Sequence, residues 1–186
     1  QLLVRLESDW EVEGNAYAQG SLISIDYDHF RSGSRDFQVI LTPDERSTIV
    51  SYSTTENTLL LNTLSNVRAE LYTYKFVDGT WRHRKVNAPD FGTIRVTAAD
   101  DFSDRYFFTF ENFLSPSTLY LADAAREKPE AVKSLPHFFD ASGLEVMQYE
   151  AESKDGTMIP YFVVAPRDME RDGINPTLLY SYGGFE

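Results

Sequence analysis

Short apolar segments separated by polar turns run along most of the chain. They are rich in β-branched and aromatic residues and are bounded by Gly, Pro, Asp or Asn, which is the pattern of β-strands. The clearest of them are residues 22–25, 37–40, 58–61, 71–74, 94–96 and 106–110. Helical periodicity is nearly absent, and we expect at most one helical turn, within residues 121–130. The pattern therefore predicts a mainly β fold.

One strand pattern recurs along the chain. Leu22, Leu71 and Leu119 occupy the same position in three similar segments and are 49 and then 48 residues apart. Upstream of the later two, Ile49 and Ile94 repeat in the same way, 45 residues apart. A repeat of roughly 40 to 50 residues that holds about four short strands is typical of a β-propeller blade.

The repeat predicts three blades, near residues 1–46, 47–90 and 91–140. Because propellers close with about four to eight blades, we expect these to be the last blades of a larger, partly represented propeller. A β-sandwich is the alternative, but it does not explain the regular repeat.

The pattern changes after Pro136. Residues 144–151 and 158–165 are predicted strands around a turn at residues 153–157, where Asp-Gly tolerates the positive φ of a tight hairpin. Pro160 indicates an edge strand or a bulge. A charged loop follows, and then an apolar segment, residues 177–180, is predicted to be a buried strand that ends in a glycine-rich turn. Such an order is typical of the opening of an α/β-hydrolase sheet.

Composition limits the possible functions. The 186 residues are 42% hydrophobic, which suffices for a sizeable core. A formal net charge of −12 argues against nucleic-acid binding. No apolar run approaches the roughly 18 residues of a membrane span, and no signal peptide is recognisable. The chain has no cysteine, so disulfides and thiolate metal sites are excluded from it. It begins at Gln1 without an initiator Met, and we expect it to be a segment excised from a longer protein. The sequence does not identify the cellular compartment of that protein, although we prefer the cytoplasm to the periplasm.

The motifs after residue 143 resemble the prolyl oligopeptidase family of serine peptidases. The resemblance rests on Ser-Lys-Asp-Gly-Thr at 153–157, on Ile-Pro-Tyr-Phe-Val-Val at 159–164 and on Asn-Pro-Thr-Leu-Leu-Tyr-Ser-Tyr-Gly-Gly-Phe at 175–185. Upstream, residues 112–120 are similar to a segment of the last blade of that family. The Gly184-Phe185 ending favours prolyl oligopeptidase over oligopeptidase B. Ser181 departs from the glycine that is common in the family, although a small residue is retained.

The resemblance implies a seven-bladed propeller stacked on an α/β-hydrolase domain that cleaves short peptides after proline with a Ser-Asp-His triad. Residues 1–140 would be the C-terminal blades, and residues 141–186 the start of the peptidase domain. By the same resemblance, Tyr182 is an oxyanion-hole donor and Phe185 lines the proline pocket. The triad is expected outside this chain, which has no Gly-x-Ser-x-Gly motif, and we expect the chain alone to be inactive.

For the other residues that could bind a metal or a substrate, we prefer a structural role. His29, His83 and His137 lack metal-ligand spacing. Residues 26–28 resemble a fragment of a calcium loop without its later Gly and Glu, so a turn at a strand end is the preferred interpretation. Residues 100–104 are interpreted as a solvated loop between strands. We expect no cofactor and no metal.

Two functions remain open at this point. The first is a fragment of a serine endopeptidase whose partners are short proline-containing peptides. The alternative is a non-catalytic propeller that binds peptides or proteins. In either case neither nucleic acid nor a membrane is an expected partner, and the exposed strand edges of an incomplete propeller predict self-association.

Overall fold

A computed structural model of the chain describes residues 1–126 and 128–181. The first unit is a three-stranded antiparallel sheet in the order β1-β4-β5, with a small hairpin formed by β2 and β3. A five-residue helix joins β4 to β5. The elements are β1 (Leu2–Arg5), β2 (Trp10–Val12), β3 (Asn15–Tyr17), β4 (Leu22–Ile25), α1 (Tyr27–Arg31) and β5 (Gln38–Leu41).

Two four-stranded antiparallel sheets follow, each with its strands paired in sequence order. The second sheet contains β6 (Ser47–Thr54), β7 (Leu59–Ser65), β8 (Arg68–Val77) and β9 (Thr80–Lys85). The third sheet contains β10 (Thr93–Ala99), β11 (Arg105–Glu111), β12 (Thr118–Asp123) and β13 (Glu130–Ser134). A separate hairpin is formed by β14 (Leu144–Glu152) and β15 (Met158–Pro166).

The sequence repeat corresponds to a structural repeat. The three repeated leucines lie on β4, β8 and β12, which are each the next-to-last strand of their sheet, and Ile49 and Ile94 lie on the first strands of the second and third sheets. Three successive sheets of this kind match the three predicted units. They do not match a sandwich, which needs two sheets.

The core lies between the sheets. Leu59 and Leu61 of β7 pack with Leu22 of the first sheet, whereas Leu60, on the opposite face of the same strand, packs with Phe108 of the third sheet. Successive residues of a strand point to opposite faces, so a strand between two sheets is apolar at consecutive positions. This explains the run of three leucines.

The hairpin β14–β15 uses its two faces differently. Gln148 and Phe162 oppose each other in the register and share the face toward the second and third sheets, where the rings of Phe162 and Phe113 are 5.8 Å apart. On the other face, the Tyr149 hydroxyl accepts a hydrogen bond of 2.8 Å from the Arg171 guanidinium. The predicted turn is confirmed: Gly156 has φ +85° and Ser153 N donates to Thr157 O at 2.8 Å. Because this sheet has only two strands within residues 1–126 and 128–181, Pro160 lies in an edge strand there, as predicted.

Residues 121–130, where at most one helical turn was expected, contain none within the described part: Leu121 belongs to β12, and the Asp123 side chain accepts a hydrogen bond from Ala125 N at 2.8 Å, which stabilises a tight turn instead. Another prediction of local structure is wrong. Residues 177–180 are not a buried strand. Leu178 and Leu179 are each 90% exposed, and no described strand pairs with them. Apolar character alone does not make a strand without a neighbour to which its backbone can hydrogen-bond.

Residues 144–181 therefore contribute one hairpin and an extended exposed segment. Nothing recognisable as an α/β-hydrolase sheet is present among the described residues, since this fold requires several parallel strands flanked by helices. The described architecture is mainly β.

Candidate functional site

The two residues expected to act in catalysis, Tyr182 and Phe185, lie outside the described residues. The chain that leads to them, residues 177–181, is exposed. Tyr180 itself is 81% exposed. The role of Tyr182 and Phe185 therefore stays a prediction.

The three histidines lie in three unrelated environments. His29 is part of α1, His83 of β9 stacks on Tyr74 with 5.1 Å between the ring centroids, and His137 lines a cleft beside the linker. No group of three or more His, Cys, Asp or Glu side chains that could hold a metal occurs within residues 1–126 and 128–181. Across the same residues, none of the helices is both long and apolar enough to cross a membrane.

Asp26 shapes the chain locally. Its carboxylate accepts hydrogen bonds from the backbone N–H groups of Asp28 and His29, at 3.0 and 3.1 Å, and so caps α1 at its N-terminus. These two bonds hold the pKa of Asp26 below its usual range. Residues 26–28 follow β4, as the interpretation of a turn at a strand end requires, but Tyr27 and Asp28 already belong to the helix α1, which was not expected.

Asp104 departs from the interpretation of residues 100–104 as a solvated loop. Its side chain is only 15% exposed, and its Oδ1 accepts hydrogen bonds from the Thr55 hydroxyl, the Asn57 backbone N–H and the Thr58 hydroxyl, at 2.8, 2.9 and 3.0 Å. Its Oδ2 lies 3.3 Å from the Lys75 ammonium. Asp104 precedes β11, whereas three of the partners lie in the loop between β6 and β7 and the fourth, Lys75, lies on β8 of the second sheet.

The Asp104 carboxylate is therefore a tie between two sheets. Burial raises its pKa, but the hydrogen bonds from Thr55, Asn57, Thr58 and Lys75 outweigh burial, and the pKa lies below its usual range. The carboxylate is charged at neutral pH, and both of its oxygens interact with neighbouring residues of the chain. This makes it a structural residue rather than one available to a substrate.

The described surface contains a cleft of about 910 Å³. It lies between the second and third sheets, the β11–β12 loop, the linker and the hairpin. Its walls are mostly apolar, and the aromatic residues among them are Phe91, Phe113, Phe138, Phe139 and Phe162. Phe138 is 82% exposed at its rim.

Asn62 gives the cleft a polar group between its apolar walls. It is almost fully buried, and its Nδ2 donates a 2.8 Å hydrogen bond to Ile94 O of the third sheet. Its Oδ1 has no hydrogen-bond partner among the described residues. The cleft thus has the composition of an apolar binding surface. None of the three histidine side chains is hydrogen-bonded to a serine hydroxyl in the part of the chain that the structure describes, so the cleft holds no described nucleophile-base pair.

Comparison with known proteins agrees with this architecture. Residues 9–135 match the family model described as prolyl oligopeptidase, N-terminal β-propeller domain. The uncharacterized peptidase y4nA of Sinorhizobium fredii is 40% identical over 189 aligned residues, which cover 100% of this chain and 26% of that protein. A prolyl endopeptidase of Elizabethkingia miricola is 29% identical over 102 residues, covering 55% of this chain and 14% of that protein.

Solved structures give the same result. A post-proline cleaving enzyme from Rickettsia typhi superimposes with a TM-score of 0.77 at 28% identity, covering 98% of this chain and 27% of that one. The chain thus spans about a quarter of the length of the relatives that it matches over its whole extent. Since the family model covers most of the residues, and the three sheets and their repeat are those of propeller blades, the chain belongs to the prolyl oligopeptidase family of peptidases and carries part of its N-terminal β-propeller domain.

Proposed function

We propose that the chain is part of a serine endopeptidase that hydrolyses short peptides after proline. The observation that carries this proposal is the match of residues 9–135 to the propeller domain of the family. The names of two relatives, a prolyl endopeptidase and a post-proline cleaving enzyme, support the proline specificity. The Gly184-Phe185 ending supports it as well.

In this proposal residues 1–140 are the C-terminal blades of the propeller, and residues 141–186 begin the α/β-hydrolase domain. The hairpin β14–β15 would be the first strand pair of the hydrolase sheet. The segment 177–180 would become its next strand once further residues of the intact protein pair with it. This would also explain why an apolar segment with strand composition is exposed in the described chain.

The chemistry follows from what an acyl transfer requires. A serine nucleophile, a histidine base and an orienting aspartate would come from residues outside this chain. Tyr182 would donate its hydroxyl hydrogen to the oxyanion of the tetrahedral intermediate, and Phe185 would pack against the proline ring. No cofactor is needed for this reaction.

The intact protein and the 186-residue chain should behave differently toward a chromogenic peptide with proline before the scissile bond. We expect the intact protein to hydrolyse this peptide, to be blocked by a serine-directed inhibitor, and to act poorly on a matched peptide with arginine in place of proline. The chain alone should be inert.

Equal turnover of the proline and arginine peptides would contradict the proline specificity. Inhibitor-sensitive turnover by the repurified chain alone would contradict the absence of a triad. An intact protein without hydrolytic activity would favour the alternative, a propeller that only binds peptides or proteins.

A further inference from the structure

The part of the cleft between the second and third sheets has an unused hydrogen-bond acceptor. Val50 and Leu64 line this part from the second sheet, and Ile94 lines it from the third. Asn62 lines it as well, and its Nδ2 already donates to Ile94 O at 2.8 Å. The other polar atom of the same amide, Oδ1, has no hydrogen-bond partner within residues 1–126 and 128–181.

An acceptor left in this state lowers stability unless something donates to it. A buried polar group without a hydrogen bond costs about 1 to 3 kcal/mol, and Asn62 is only 3% exposed. An ordered water is a poor partner, because a buried water needs about two to four polar neighbours, and the side chains of Val50, Leu64 and Ile94 offer none. A molecule that is apolar apart from one donor suits this environment better.

Phe91 supplies an aromatic wall whose position is fixed by its surroundings. It lines the cleft and has a φ of +57°, a left-handed conformation that is uncommon for a phenylalanine. The Arg68 guanidinium lies over its ring, 4.2 Å from the centroid. At Gly92, the next residue, any side chain would collide with the Glu111 carbonyl and the Phe110 ring. Strained backbone that packing holds in place is frequent at binding sites.

The size of the cleft suits a small molecule. Its volume of about 910 Å³ lies within the range of small-molecule sites, roughly 300 to 1,000 Å³. Such sites are mostly apolar and contain a few polar groups that orient the ligand. An exposed face of a fixed phenylalanine ring favours a flat, aromatic ligand, because aromatic rings stack on or pack edge-to-face against each other.

We propose that this part of the cleft binds a flat apolar molecule of one or two rings that carries a single N–H donor, such as an indole. The rings lie against Phe91 and the aliphatic walls, and the N–H donates to Asn62 Oδ1. A small rotation of the amide presents Oδ1 to the ligand, since the torsion that orients a side-chain amide is soft. Binding requires no movement of the hairpin β14–β15 and does not rest on the proposed peptidase activity.

An NMR titration of the isotope-labelled 186-residue chain tests the site, with indole and benzothiophene as probes. The two molecules have similar size and shape, but only indole has an N–H group. Both should shift the backbone amide signals of Leu64 and Ile94 in a saturable manner. The carbonyl carbon signal of the Asn62 side chain should move downfield with indole only, because a hydrogen bond to Oδ1 deshields this carbon.

Asn62→Leu removes the acceptor at nearly constant volume. We expect it to shift the ratio of the two dissociation constants by roughly 3- to 10-fold toward benzothiophene, the effect of losing one hydrogen bond. Taking the ratio cancels the difference in hydrophobicity between the probes. Val50→Tyr narrows the cleft and should weaken the binding of both probes by roughly 3-fold or more.

Val132→Tyr is the matched control for Val50→Tyr. The two valines are 53% and 49% exposed, but Val132 lies on β13 and does not line the cleft, so its replacement should leave both dissociation constants unchanged.

Three results would each overturn the proposal: indole that does not bind saturably, equal effects of the two tyrosine substitutions, or a ratio that Asn62→Leu leaves unchanged. If Asn62→Leu does not fold, the Asn62 carbon signal decides, because it is measured on the unmodified chain. A signal that responds equally to both probes would then reject the hydrogen bond.

Discussion

At the scale of single residues, Tyr182 is the residue that the proposed function places closest to the reaction. A tyrosine hydroxyl is a neutral donor, and a Gly-Gly turn after a strand can direct it toward the oxygen of a peptide carbonyl. A donor aimed at charge that develops during the reaction acts mainly in the transition state. Its removal should therefore lower kcat more than it weakens substrate binding.

We predict that Tyr182→Phe in the intact protein lowers kcat by roughly 10²- to 10³-fold, about 2.7 to 4 kcal/mol, with KM nearly unchanged. The substitution removes only the hydroxyl, so folding should be retained. Steady-state kinetics on a proline-containing chromogenic peptide measure the effect. Tyr180→Phe is the control, because it makes the same change two residues earlier, in the preceding segment, and should leave turnover almost unaltered.

Small and equal losses in the two variants would show that Tyr182 is a packing residue. An effect of Tyr182→Phe on KM alone would lead to the same conclusion. In both cases the oxyanion donor would have to be sought elsewhere in the intact protein, without affecting the assignment of the chain to its family.

The sequence could predict a role for Tyr182 only through resemblance, because the groups with which it would act are not among these residues. For Asp104 the partners are within the chain, but the sequence still did not predict their contact. Its carboxylate is bound by Thr55, Asn57 and Thr58, which lie 46 to 49 residues away along the chain. Nothing in the local pattern Asp-Asp-Phe-Ser-Asp distinguishes the half-buried Asp104 from the exposed Asp101. Contacts between residues so far apart in the chain depend on how the sheets pack together, and the packing cannot be read from a single sequence.

At the scale of elements, the strands follow from their residues more reliably than the connections do. The residues of β4 are those predicted, 22–25, because a run of β-branched and apolar residues between polar turns has few alternative conformations. By contrast, α1 was not predicted: five residues are too few to display helical periodicity, and its only local signal is Asp26 as a cap. Residues 177–180 have the composition of a strand, but no described strand lies beside them to form backbone hydrogen bonds. The prediction of a buried strand from composition was therefore wrong there.

Asp104 connects the second and third sheets, and its replacement tests how strongly blades depend on such a tie. We predict that Asp104→Asn lowers the free energy of unfolding of the chain by about 1.5 to 3 kcal/mol at pH 7, the usual range for hydrogen bonds to a charged group. Urea denaturation measures the difference. Asp101→Asn, in the same loop but exposed, is the control and should change stability little.

The effect of Asp104→Asn should depend on pH. The folded-state pKa of Asp104 lies below its usual range, so the folded chain holds the charged form more strongly than the unfolded chain does. The stabilisation is present above the unfolded-state pKa, about 3.9, and is lost as the pH falls through the lowered pKa of the folded state. The difference between the two chains should therefore shrink as the pH falls below about 5. A difference that stays constant down to pH ~3 would mean that the carboxylate charge is not what ties the sheets.

At the scale of the whole molecule, the described chain leaves several large apolar side chains exposed. Leu178 and Leu179 are each 90% exposed and Tyr180 is 81% exposed, while Phe138 at the cleft rim is 82% exposed. The hairpin β14–β15 also has unpaired strand edges within the described residues. Apolar patches and free edges of this kind promote association between chains.

We predict that the 186-residue chain self-associates, with the 177–180 segment of one copy packing on the apolar surface or strand edges of another. Sedimentation velocity over a wide concentration range should show a weight-average mass that rises with concentration. The double substitution Leu178→Lys and Leu179→Lys should reduce this rise, because it places charge at the centre of the exposed segment. Phe102→Lys is the control: Phe102 is 89% exposed, but it stands alone in the β10–β11 loop, so its replacement should have little effect.

A chain that stays monomeric at every concentration would contradict the prediction and would mean that the fold covers its own edges in solution. Equal association by the unmodified chain and the double variant would point instead to the aromatic rim of the cleft, where Phe138 is 82% exposed. In the intact protein the same apolar segment should no longer drive association, since the proposed hydrolase sheet would bury residues 177–180 as an internal strand. Comparing the two forms at equal concentration therefore connects the association of the chain to the architecture proposed for the protein that contains it.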